Sequence, residues 1–143
     1  MSDVIGLPLH PLVVHAVVVL VPLVAVGMAV AVLSAVWAER LRLVLAVLGA
    51  AAAAAAFVAR SSGQSLLAQV PGSPEVARHA DTADALPWFV LGAAALVAGW
   101  AWSGSQGRPS RLLGVVAALG MLVATLWTVL AGHSGAVSVW GDV

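Results

Sequence analysis

The sequence predicts an all-α integral membrane protein, a four-helix up-down bundle forming one domain over residues 1–143. Three observations predict it. Charged residues make up only 8% of the chain, against about a quarter in soluble domains. Hydrophobic residues reach 62%, and the mean hydropathy is +1.08. The apolar residues gather into four runs separated by polar breaks, and each run approaches or exceeds the ~20 residues that cross a hydrocarbon core. The expected environment is therefore a lipid bilayer.

The first span is expected over about 11–37. Pro11 suits a first helical turn, where a missing N–H costs nothing. Pro22, inside the span, frees the carbonyl of Val18 and is expected to bend the helix. Asp3 is the only charge before Glu39, so the run lacks the basic start of a cleavable signal and is read as a retained span. A short break at 38–42 makes the second span, about 43–59, an antiparallel neighbour of the first. Its alanine run, Ala50 to Ala56, is read as a surface for close helix approach in lipid.

Residues 60–85 form the main polar connection. Its first part is read as an extension of the second helix, and Val70-Pro71-Gly72 as a break. Ser73-Pro74-Glu75 then has the order of a helix start, with Ser as cap, Pro at the first helical position and an acid in the first turn. That helix carries Arg78, His79, Asp81 and Asp84 before a third span over about 86–102. The Gly-, Ser- and Pro-rich stretch 103–111 reads as a turn. A fourth span over about 112–131 follows, with Gly132-His133-Ser134-Gly135 expected to terminate it.

Basic residues near span ends set orientation. The short turns hold Arg40, Arg42, Arg108 and Arg111, whereas the opposite side has Arg60 and Arg78 among Asp3, Glu75, Asp81, Asp84 and Asp142. Both termini are therefore expected outside the cytoplasm. Trp37, Trp100 and Trp102 at the inner ends and Trp88 and Trp140 at the outer interface agree with this, while Trp127 fits less clearly.

Several chemistries are excluded or unsupported. With no cysteine there is no disulfide, thiolate site or thiol catalysis. A formal net charge of zero and the lack of a basic run give no nucleic-acid partner. No set of nucleophile, base and oxyanion donors is visible. Met28 and Met121 read as core fillers, and Gly27, Gly49, Gly92, Gly99, Gly114 and Gly120 as helix-packing positions.

What stands out is the placement of the histidines. Counting along each helix puts His15 and His133 within roughly 5 Å of the outer hydrocarbon boundary, and His10 and His79 roughly 10 Å above it. Four imidazoles from three helices thus share one face. Each also has a plainer role: His10 as an interfacial cap, His15 bonded to a backbone carbonyl, His79 solvated beside Asp81, and His133 offsetting a helix dipole. Imidazole suits zinc, copper, iron and haem iron. His10 and His15 lie about 140° apart on a helix, so they face different neighbours. By height, His15 with His133 or His10 with His79 could form an axial pair. Arg60 and Arg78 are positioned for carboxylates such as haem propionates, and Asp81 or Asp84 for orienting a ligating His.

The segment Pro8-Leu9-His10-Pro11 with Val14-His15, the lone His79 before the third span, and Gly132-His133-Ser134-Gly135-Ala136-Val137 together resemble the domain-of-unknown-function 2231 family of small bacterial membrane proteins, over nearly the whole chain. Ser134 and Val139-Trp140 depart from the family's usual residues there. The resemblance implies a four-helix protein of the bacterial cytoplasmic membrane with histidines at these positions. The layout is also similar to that of membrane cytochromes holding haem b between helices.

The expected function is thus a haem b-binding, or other metal-binding, redox membrane protein with its site at the outer face, exchanging electrons with a quinone or an external redox protein. Two alternatives stand beside it. One is transport or handling of a divalent metal such as copper or zinc. The other is a non-catalytic accessory subunit docking on a larger complex, or a homo-oligomer, through its small-residue faces.

Overall fold

A computed structural model describes residues 3–4, 7–70 and 72–140. The expected break at Pro71 and the charge of Asp142 lie outside these. Four long helices account for the fold: α1 (Leu9–Leu33), α2 (Ala35–Leu67), α3 (Pro74–Ser103) and α4 (Arg111–Trp140). All four are long and apolar enough to cross a membrane. A short 3-10 turn, Gly104–Gln106, follows α3, and a two-residue ladder pairs Asp3–Val4 with Leu7–Pro8 ahead of α1.

Each helix packs on its neighbours in chain order, and α1 closes the ring against α4. Across that ring α1 and α3 are diagonal. The centre holds Val21, Val24 and Met28 from α1, Val90 and Val97 from α3, and Met121 from α4, all at 0% exposure. Along α2 the alanine run divides by face. Ala52, Ala53 and Ala56 are buried while Ala51 and Ala54 are exposed, so small side chains let the neighbouring backbones approach. Gly49 does the same, since a Cβ there would stand 3.6 Å from that of Ala94. The outer surface is apolar too: Val26, Leu43, Leu126 and Val129 are all exposed. Together with four helices long enough to span, an apolar exterior of this kind fits a lipid environment.

Helix boundaries follow local chemistry and differ from the expected ones at two places. The change from α1 to α2 falls at Ser34, which is extended at φ −143° and ψ 118°, and not within 38–42. Glu39, Arg40, Leu41 and Arg42 are good helix formers, and the first turns of α2 absorb them. At the other end, 132–135 does not stop α4, which continues to Trp140. Ser134 and Ser138 fold their hydroxyls back onto the carbonyls of Ala131 and Gly135 at 2.9 and 2.7 Å, so the helical path persists through two glycines. The expected start of α3 is present. Ser73 is extended, its hydroxyl accepts from the Val76 N–H at 3.2 Å, and Pro74 opens the helix.

Trp127, which the orientation pattern left unplaced, belongs to the α3–α4 seam. Its indole donates to the Thr82 carbonyl at 2.9 Å and its ring stacks on Phe89 at 4.5 Å. Trp100 is buried near the opposite end, and a Cβ at Gly114 would come 3.0 Å from its Nε1. Gly114→Val should therefore crowd the indole and cost about 1–3 kcal/mol, as overpacking does. Thermal denaturation in detergent would show it as a lowered Tm.

Candidate functional site

One end of the bundle concentrates the polar side chains of three seams. His10 lies in the first turn of α1, and its Nδ1 is 3.0 Å from the Ala59 carbonyl and 3.2 Å from the Ser62 hydroxyl of α2. The Ser62 hydroxyl itself donates to the Ala59 carbonyl at 3.0 Å. A carbonyl only accepts, so Nδ1 carries the proton and Nε2 keeps its lone pair. Gly63 makes the contact possible, because a Cβ at that position would stand 2.9 Å from the ring's Cε1.

The same construction recurs on the other hairpin. His79 of α3 places Nδ1 3.1 Å from the Ser134 hydroxyl of α4. Ser134 in turn donates to the Ala131 carbonyl at 2.9 Å, so its oxygen accepts from the ring and Nδ1 carries the proton here too. Here Gly135 provides the space, since its Cβ would lie 3.0 Å from Cε1 of His79. Both imidazoles are half-buried.

The other two histidines are placed differently. His15 is exposed, with Nδ1 2.6 Å from the Pro11 carbonyl of its own helix. His133 is exposed as well, and with Arg78, Glu75, Ser134 and Val137 it lines a shallow cavity beside the His79 clamp. Of the four, only His10 and His79 hydrogen-bond a residue of a neighbouring helix.

Of the other expected residues, Arg60 donates to Asp84 through two nitrogens at 2.7 and 3.0 Å, and Gln64 adds a third bond to Asp84 at 3.1 Å. This network joins α2 to α3. Arg78 is exposed one position from His79. Asp81 is exposed, and among the described residues no hydrogen bond joins it to a histidine. Orientation of the rings falls to Ala59 with Ser62 and to Ser134, itself bonded to Ala131; of these only Ser134 belongs to a motif singled out from the sequence. The repeated pattern Ala-x-x-Ser-Gly, at 59–63 and again at 131–135, is the signal that finds them.

Compared with known proteins, residues 6–143 match the family described as predicted membrane protein (DUF2231). No curated protein and no solved structure matches the chain.

Proposed function

The chain belongs to the DUF2231 family of predicted membrane proteins, and from that premise we propose that it binds haem b through His10 and His79. The observation that supports this most is the pair of matched clamps. In each, Nδ1 is held by a serine that itself bonds a helix carbonyl, which leaves Nε2 as the ligating atom, the arrangement that metal-bound histidines use. The ligands come from diagonal helices at one end of a four-helix bundle, where such proteins build cofactor sites.

The size of the donor set favours haem over a bare ion. Zinc takes at least three protein ligands, whereas among the described residues no group of three His, Asp or Glu side chains could hold a metal. Haem iron brings its own four nitrogens and asks the protein only for axial ligands. Arg78, exposed beside the clamp, is the side chain suited to a propionate. Arg60 is already engaged by Asp84.

When bound, the haem supplies one-electron chemistry. A site at one end of the bundle does not reach across about 30 Å of hydrocarbon, so its electron partner is a quinone or an external redox protein on the same side. The arginine distribution favours a site on the side away from the cytoplasm.

Expression with ample haem, purification, and absorption spectra of the oxidised and dithionite-reduced protein test the proposal. A Soret band with sharp α and β bands on reduction is expected. A colourless protein after haem-sufficient expression would overturn it, and metal analysis of the same sample would reveal copper or zinc instead. Ser62→Ala and Ser134→Ala should each weaken haem binding about 10–100-fold, the usual cost of losing a group that orients a ligand. Haemin titration monitored at the Soret band reads this directly.

A further inference from the structure

The two clamps belong to a wider internal equivalence. With His10 set against His79, the buried residues Val21, Val24 and Met28 of α1 fall in register with buried Val90, Ala93 and Val97 of α3. With Ser62 set against Ser134, buried Ala52, Ala56 and Ala59 of α2 match buried Ala124, Thr128 and Ala131 of α4. The α1–α2 and α3–α4 hairpins are thus equivalent units related by an approximate twofold along the bundle. Under that relation the α2–α3 and α1–α4 seams are counterparts.

Their side chains break the equivalence. On the α2–α3 seam, Asp84 is tied to Arg60 and Gln64. The register counterparts are His15 for Asp84, Gly132 for Arg60 and Ala136 for Gln64. His15 is turned to its own helix, and a Cβ at Gly132 would meet nothing within 4 Å. Among the described residues no side-chain hydrogen bond joins α1 to α4, whereas side-chain hydrogen bonds cross each of the other three seams. Chain connectivity acts in the same sense. At the histidine end the chain links α2 to α3, and the α1–α2 and α3–α4 links lie at the far end.

We propose that the α1–α4 seam opens at its histidine end to admit the ligand of the His10–His79 pair sideways from the bilayer, with the bonded α2–α3 seam as the fixed side. The ligand class is a flat amphiphile that partitions into lipid, and its identification as haem rests on the reading above. Opening of this kind is a hinge motion about a seam that stays packed.

The cysteine-free chain allows a matched test. Leu12→Cys with Val139→Cys spans the α1–α4 seam, and Asp81→Cys with Leu67→Cys is its register counterpart on the α2–α3 seam. All four positions are exposed. The full chain in lipid nanodiscs is spin-labelled, and distances are measured by pulsed dipolar spectroscopy with and without haemin. The α1–α4 pair should give a broad distribution with a long-distance tail that contracts on adding haemin, while the α2–α3 pair stays narrow and unmoved. Equally narrow distributions would overturn the entrance even if a Soret band forms. A broad α1–α4 distribution with no haemin response and no Soret band would uphold the opening seam and retire haem as its ligand.

Discussion

With haem b bound as proposed, His10→Ala and His79→Ala are each expected to abolish a six-coordinate, low-spin spectrum, and the double substitution to abolish haem binding. Each imidazole is the one side chain its hairpin directs onto the neighbouring helix at this end with Nε2 unspent. Losing one would leave the haem a single protein ligand, with a broadened, high-spin spectrum as the expected readout. The loss of affinity should exceed the roughly 100-fold limit typical of groups that only orient a ligand. Folding should survive, because the Ser62 and Ser134 hydroxyls keep their bonds to Ala59 and Ala131. One forfeited hydrogen bond costs about 0.5–1.5 kcal/mol. His15→Ala and His133→Ala serve as matched controls. Both side chains are exposed, and both variants should retain the low-spin spectrum. If either of these, and neither His10 nor His79, removed it, the assignment of the pair would be wrong.

Filling the glycine under either ring should be almost as damaging. In Gly63→Val and Gly135→Val the new Cβ would begin 2.9 and 3.0 Å from the imidazole Cε1, closer than carbon atoms pack without something moving. A β-branched residue adds a second methyl with little rotational freedom to avoid the ring. The imidazole must then swing off its neighbouring helix, lose its hydrogen bond at Nδ1 and carry Nε2 out of position. Haem binding should fall nearly as far as in the alanine variants. Stability should fall by about 1–3 kcal/mol, the usual cost of overpacking. Gly99→Val makes the control, since a Cβ at Gly99 meets nothing within 4 Å. It shares the change in helix propensity but not the clash. Soret titration together with thermal denaturation separates the two effects, and equal behaviour of all three valine variants would show that the rings do not depend on those glycines.

Much of the architecture was legible in the residues. The four spans could be read because a helix in lipid must satisfy its own backbone over about 20 apolar residues, and that demand is local. The start of α3 was legible for the same reason, with Ser73, Pro74 and Glu75 acting within one turn. The end of α4 was misjudged because glycine is a stop signal only when nothing else uses the space. Gly135 is instead the floor on which His79 rests. The break at Ser34 was placed late because charged residues at 39–42 look like a loop, while their propensities continue a helix.

By itself, then, the sequence determined that this is a multi-pass helical membrane protein with its histidines near one end, since span length and residue height along a helix need only the chain order. Which imidazoles bond a neighbouring helix was decided by the tertiary structure alone. In a soluble helix the polar face reveals the rotation about the axis. Here lipid and core are both apolar, so Val24 at the centre and Val26 at the surface look alike in sequence, and the direction of each ring was fixed only when α2 and α4 packed against it.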